Sequence, residues 1–479
     1  MAPSLRKADA SERLVLLIVC AGSVLASLDL FIVNVALPDM SRDLGAHNLS
    51  SLSWVLNGYT IVYASLLVLF GRLAERRHRE RGFLLGVAVF TVASAACGAA
   101  TSVPMLVTFR VVQAAGAALL TPTSLSLILA TTAAERRHRA VRIWTSVGGL
   151  AAALGPVVGG LLVAASWRWI FFVNVPIGLA AFAVGWLRLP ALPGHDVPRP
   201  DASGALLVTG GVGALTLGLV QGDSWGWSSP ATLGVLALAI VVIGLFVLHC
   251  ARGANPLVDP TLFRARSFSG ASTISIVFSI AFGALLLSVV LWEQDVWGWS
   301  ALKSGLGLAP GPLMVPLFSL LVAGRLVARF GPGPVIAAGA GLVAAGAAWW
   351  LLFAHVRADY PRDFLPGMIL TGVGVGLTLP TMMATATASL PPQSFATGSA
   401  VVNMLRQVGL AIGVAMLIAV LGNGGNPTRP FPAFRHGWDA IVIAALAAAV
   451  VSAALLRPKP TAVRVITSTT PRLVPDETS

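Results

Sequence analysis

Apolar residues fill this chain in long runs separated by short polar breaks. Fourteen runs are marked, with centres near Cys20, Leu66, Val92, Ala118, Ala151, Gly178, Gly213, Ala239, Phe282, Val315, Ala345, Gly374, Gly409 and Ala447. A helix that crosses roughly 30 Å of hydrocarbon needs about twenty mostly apolar residues. The pattern therefore predicts an all-α integral membrane protein with fourteen transmembrane helices. The polar breaks hold nearly all the charge, and none is long enough to fold as a separate catalytic domain.

Composition agrees. The 479 residues are 56% hydrophobic and 11% charged, with a mean hydropathy of +0.84, too little polar side chain to clothe a soluble globule of this size.

A net charge of +13 raises the question of nucleic acid, which the placement of the charge answers. With the N-terminus taken as cytoplasmic, 23 of the 32 Lys and Arg fall in the tails and inner breaks. Seven fall outside, namely Arg42, Arg168, Lys303, Arg357, Arg362, Arg429 and Arg435. Arg110 and Arg406 lie inside runs. The asymmetry follows the positive-inside rule, puts both termini in the cytoplasm and leaves no basic surface for nucleic acid. Cys20, Cys97 and Cys250 are scattered in apolar runs and form neither a disulfide framework nor a metal site. The first run continues to about Leu37 and contains Asp29, so it reads as a retained span and not a cleaved signal.

Two polar connectors interrupt the regular spacing, Pro190 to Asp201 and Asn255 to Ser267. They divide the chain into an N-terminal six-helix bundle (1–190), linkers with two extra helices (191–267), a C-terminal six-helix bundle (268–457) and a disordered cytoplasmic tail (458–479). Gly71-Arg72-Leu73-Ala74-Glu75-Arg76 in the first half is echoed by Gly324-Arg325-Leu326-Val327-Ala328-Arg329 in the second, as expected of repeated halves that rock about a midplane site.

Charge inside a span costs from about 3 kcal/mol upward, so ionisable residues there are functional candidates. Asp29 lies in Leu28 to Pro38 (LDLFIVNVALP), which also holds Asn34. It reads as a group that loads and releases a proton, or as a structural ion-pair partner. Arg110 opens RVVQAAG, with Gln113 on the same helical face; its role is to tune Asp29, or to lock two helices. Arg406 and Gln407 sit near the expected cytoplasmic start of the thirteenth span, where an Arg can snorkel to the interface, and the structural role is favoured. Glu293 and Asp295 fall beside Trp292, Trp297 and Trp299, where a solvated aromatic belt is favoured over contact with a cationic ligand. Gly148 and Gly155-Pro156-Val157-Val158-Gly159-Gly160 strip side chains from one face of the fifth span and allow it to bend and pack closely. In the loop Gly71 to Arg81, Arg72 and Arg76 surround Glu75, a carboxylate placed to hold the cytoplasmic side shut or, together with the arginines, to set topology.

Taken together, LDLFIVNVALP, GRLAERRHRER, RVVQAAGAA, GPVVGG and Trp167 to Gly178 (WRWIFFVNVPIG) resemble the major facilitator superfamily, and within it the 14-span drug:H+ antiporters. The resemblance covers nearly the whole chain. It implies two six-helix bundles plus two central helices, a coupling role for Asp29 and Arg110, an antiporter motif at Gly155 to Gly160 and a gate at the Gly71 loop. Glu75 stands where that family usually has Asp, His78 where it has Gly, and Ala151 where it has the Gly four residues before the Gly-Pro pair.

The expected function is proton-coupled efflux of amphipathic or cationic drugs across the bacterial cytoplasmic membrane by a monomer. Its partners are the small-molecule substrate, protons and membrane lipid, and it needs no cofactor. Alternatives are a dedicated exporter of one metabolite or self-made antibiotic, then a nutrient importer. ATP drive is set aside because a phosphate loop needs Gly before its Lys, whereas Lys7, Lys303 and Lys459 follow Arg, Leu and Pro. Scattered His and the absence of a His-Glu-x-x-His pattern argue against a membrane enzyme.

Overall fold

A computed structural model describes residues 3–45, 49–76, 78–192, 201–388, 390, 395–422 and 430–456. Fourteen long helices follow one another: α1 Pro3–Asp43, α2 Leu49–Arg76, α3 Arg79–Gly98, α4 Val103–Thr131, α5 Ala134–Val163, α6 Trp169–Arg188, α7 Ala202–Trp225, α8 Pro230–Arg252, α9 Arg266–Val296, α10 Ala301–Phe330, α11 Pro332–Phe353, α12 Tyr360–Ala388, α13 Phe395–Leu421 and α14 Pro430–Leu455. Thirteen are long and apolar enough to span a membrane. The fourteenth, α5, is 30 residues long, and its Leu154–Val163 part is an apolar helix. No strand occurs among the described residues.

The halves share one packing plan. In the first, α1 packs on α4, α5 and α6, α3 on α4 and α6, and α2 on α4; in the second, α9 packs on α12, α13 and α14, α11 on α12 and α14, and α10 on α12. Each contact of one half thus has its counterpart in the other. Small residues make the closest approaches, since lipid gives helices no hydrophobic reason to associate and backbone proximity must supply the attraction. A Cβ on Gly116 would stand 2.6 Å from the Phe90 nitrogen, and in the equivalent α11–α12 contact a Cβ on Gly374 would stand 2.4 Å from the Gly339 carbonyl.

Between halves, the second helix of each meets the fifth of the other, α2 against α13 and α10 against α5. The extra helices α7 and α8 pack on each other, with α7 also against α2 and α13. Helix α8 buries only Thr232, Ala239 and Cys250, as befits a helix facing lipid. The linkers are tied at Asp201, which accepts from the Gly204 and Leu257 N–H groups at 2.8 Å, from the Ser203 hydroxyl at 2.8 Å and from His249 Nε2 at 3.0 Å. Burial alone would raise this carboxyl, but those bonds hold it below the ordinary carboxylate range.

One local expectation is corrected here. The Gly71 to Arg81 segment is mostly not a loop: α2 runs to Arg76 and α3 starts at Arg79. The Glu75 and Arg76 side chains lie outside the described residues, as does the tail 458–479 assigned to disorder. Helix α5 continues through Pro156 to Val163.

Candidate functional site

Asp29 in α1 and Arg110 in α4 are both fully buried, and they form a salt bridge between Arg110 Nη1 and Asp29 Oδ2. Gln113, one turn beyond Arg110, accepts from the same Nη1 at 2.8 Å and donates its amide to Asp29 Oδ1 at 2.8 Å. The three side chains close a ring. Arg110 is fixed further by Nε donating to the Val55 carbonyl of α2 at 3.2 Å and by its guanidinium lying 4.0 Å from the centroid of the Tyr59 ring. The spacing of Arg110 and Gln113 dictates this shared face.

Asn174 was missed, although it stands in the Trp167 to Gly178 motif as a polar side chain in an apolar stretch. It donates to Asp29 Oδ1 at 3.2 Å and to Ser94 Oγ at 3.1 Å, and Ser94 donates to the Phe171 carbonyl at 2.9 Å. Asp29 therefore collects donors from α4 and α6 while Arg110 reaches α2. Four helices of one half converge on one ion pair. Asn34 is not part of this cluster: it bonds back to the Leu30 and Phe31 carbonyls of its own helix.

The α5 glycines bear on the same turn of α1. A Cβ on Gly155 would lie 3.0 Å from Phe31 Cβ, one on Gly159 would lie 3.0 Å from the Ile32 carbonyl, and one on Gly148 would lie 2.6 Å from Ser23 Oγ. The other side of this stretch touches the opposite half. A Cβ on Gly160 would meet the Ala301 carbonyl at 2.6 Å, and one on Gly305 would meet the Pro156 carbonyl at 2.4 Å. The motif thus joins the turns around Asp29 to the α10 end of the other half, and at the same end Gln294 Nε2 donates to the Val35 carbonyl of α1 at 2.9 Å. At the opposite end, Arg72 donates to the Asn255 carbonyl at 3.4 Å and Gly71 packs beside Pro122.

Glu293 does not lie in a solvated belt. Helix α9 ends in a π turn, Trp292–Val296, which turns Glu293 inward to 0% exposure, with neither carboxyl oxygen hydrogen-bonded. It sits against Gly307 and Trp299, while Trp292 stacks on Phe364 and packs edge-on against Phe434 and tilted against Trp438. Asp295, by contrast, is exposed and interacts electrostatically with Arg42 of the other half. A buried carboxyl without a partner is a stability cost, so Glu293→Met, similar in shape but apolar, should raise the protein's stability by about 1–3 kcal/mol. Thermal unfolding of the purified protein measures this; an unchanged or lower midpoint contradicts it.

Arg406 is not at the start of its helix. Helix α13 begins at Phe395, which puts Arg406 about three turns in, beyond snorkelling range of that end. Cys20, Cys97 and Cys250 are buried free thiols, and the described residues hold no cluster of metal-ligating side chains.

Such a bundle, two matched halves meeting about a charged centre buried in one of them, has the architecture of a secondary transporter. The family model of the Major Facilitator Superfamily matches residues 19–414 and 272–474, and the chain belongs to that superfamily. It is 34% identical over 412 residues to the tetracenomycin C resistance and export protein of Streptomyces glaucescens, covering 85% of this chain and 74% of that one. It is 36% identical to the multidrug resistance protein Stp of Mycobacterium tuberculosis, covering 90% and 82%, and 35% identical to the cephamycin export protein CmcT of Amycolatopsis lactamdurans, covering 92% of each. Among solved structures, a peptide transporter POT in complex with sulfate superposes with a TM-score of 0.67 at 16% identity, covering 92% of this chain and 95% of that one. A D-xylose-proton symporter gives 0.65 at 14%, covering 93% and 98%. These last two speak for the fold alone.

Proposed function

We propose that this protein exports amphipathic drugs or antibiotics across the cytoplasmic membrane of a bacterium in exchange for protons, with Asp29 as the exchanging group and both termini in the cytoplasm. The observation that carries the reading is the double contact of α5, on the turns around Asp29 with one side and on the opposite half with the other.

In this arrangement the Asp29 carboxylate is held by Arg110, Gln113 and Asn174. A proton arriving on Asp29 cancels its charge-assisted bond to Arg110, the strongest contact of the ring. Arg110 cannot give up its own proton and must turn to Gln113 and the Val55 carbonyl. That change loosens α1 against α4, and α1 is also the helix on which Gly155 and Gly159 rest and to which Gln294 is bonded. Protonation at the centre and separation of the halves at the α10 end thereby share one helix. Burial of the ring keeps protons from leaking through when no rearrangement occurs. The substrate passes unchanged, and the energy is that of the ion gradient.

Relatives named for resistance to several drugs and relatives named for one antibiotic both accord with export. The test is dye efflux from cells expressing the protein, using one cationic, one neutral and one anionic amphiphile, with and without a protonophore. At least one dye should leave the cells and stop leaving when the proton gradient collapses. Efflux that persists without the gradient would overturn the coupling.

A further inference from the structure

Arg110 and Arg406, each set several turns inside its helix, are housed in opposite ways. Arg110 is fully buried and saturated by Asp29, Gln113 and the Val55 carbonyl. Arg406, deep in α13, has neither a salt bridge nor a hydrogen bond among the described residues. Its Nε is buried without a partner, while its side chain is only partly covered. The terminal nitrogens of the guanidinium are thus left open between the halves, on the helix that packs against α2. A guanidinium at this depth requires a carboxylate, carbonyl or water, and the described residues supply it with no acid.

Its neighbours are built to receive something polar. The amide oxygen of Gln407, next in sequence, is buried without a hydrogen-bond partner among the described residues. Tyr63 of α2, whose hydroxyl pairs with Thr121 at 3.0 Å, is the titratable group in electrostatic contact with Arg406. Tyr63 stacks on Tyr59 with ring centroids 5.9 Å apart, and Tyr59 in turn carries Arg110 on its face. A continuous path, Arg406 to Tyr63 to Tyr59 to Arg110, joins the open cation of one half to the coupling pair of the other.

We propose that Arg406 is a substrate-binding residue and that the preferred cargo is an amphipathic organic acid, whose carboxylate or phenolate supplies the counter-charge that the protein withholds. This rests on the export reading above and narrows its substrate class. It also reverses the expectation of cationic cargo: an organic cation brought into the same crevice would meet Arg406 with like charge, while the acidic residue of the centre is sealed behind Arg110. The partly exposed ring of Tyr63 offers a flat surface to a conjugated substrate, and its stack on the buried Tyr59 lets occupancy at Arg406 be felt at Arg110.

The test measures binding and transport separately. Purified full-length protein in lipid nanodiscs is titrated with fluorescein as the anionic probe and Nile red as the neutral one, for wild type, Arg406→Gln and Arg406→Lys. Loss of one charge-assisted contact should weaken fluorescein binding of Arg406→Gln about tenfold to a hundredfold. Arg406→Lys should recover part of it, and Nile red binding should stay within twofold in both variants. A wild type that fails to bind fluorescein overturns the proposal. So does a Gln variant that binds it normally, or one that loses both probes equally, which marks a structural arginine. Transport is then read in proteoliposomes under an imposed pH gradient. Fluorescein bound through Arg406 but not moved by the gradient refutes the export reading while leaving the binding assignment standing.

Discussion

Asp29→Asn should reduce gradient-driven efflux to background while Asp29→Glu retains part of it. The amide is close in shape to the carboxyl and can still accept from Arg110, but it neither ionises nor carries a proton between two states. Transport coupled through this position therefore stops. The change also leaves Arg110 without its counter-charge in a fully buried place, and a broken buried pair destabilises by roughly 3–5 kcal/mol. Membrane abundance must accordingly be measured beside activity. Arg110→Lys is the companion variant. Arg110 serves Val55 through Nε and both Asp29 and Gln113 through Nη1, and a single ammonium on a flexible stem cannot reproduce that fork. It should fail nearly as completely as Asp29→Asn in spite of its conserved charge. An Asp29→Asn protein that pumps at the wild-type rate removes Asp29 from the coupling path, whatever its structural importance.

The second large effect is expected at Gly305→Ala. A Cβ there would stand 2.4 Å from the Pro156 carbonyl, a separation that backbone cannot absorb without moving α10 away from α5. Overpacking of this kind costs about 1–3 kcal/mol, which shifts a two-state balance about fivefold to a hundredfold towards the state with this end open. Gly149→Ala, where nothing lies within 4 Å, is the control on α5, the helix that Gly305 faces. The shift is read by introducing a cysteine at Val35, which is fully buried and whose carbonyl receives Gln294, in a background with the three native cysteines removed. A thiol reagent added from outside the cell should label this cysteine faster in Gly305→Ala than in the parent or in Gly149→Ala, and export should fall with the shift. Equal labelling in all three would show that the α5–α10 contact does not close the outer side.

Much of the architecture was legible because hydropathy is a local sum. Twenty apolar residues declare a span wherever their neighbours are, and charge placed between spans declares a topology. Asp29, Arg110 and Gln113 could be singled out for the same reason, since a polar group in an apolar run is costly on any face of its helix. Glu293 and Arg406 were misplaced because their depth depends on where a helix begins and how it ends. The π turn at Trp292–Val296 rotates Glu293 inward, and α13 starts early enough to carry Arg406 far from the boundary.

The sequence by itself thus determined a fourteen-helix membrane protein, the buried charges of its first half and the glycine-rich helix beside them. The tertiary structure alone decided which side chains meet: Asn174 on Asp29, Tyr59 beneath Arg110, α5 touching both the centre and the opposite half, and Arg406 without a partner among the described residues. Those pairings depend on the rotation of each helix about its axis and on distances of closest approach set by individual glycines. Such quantities are fixed only when all the helices pack together, and no window along one helix contains them.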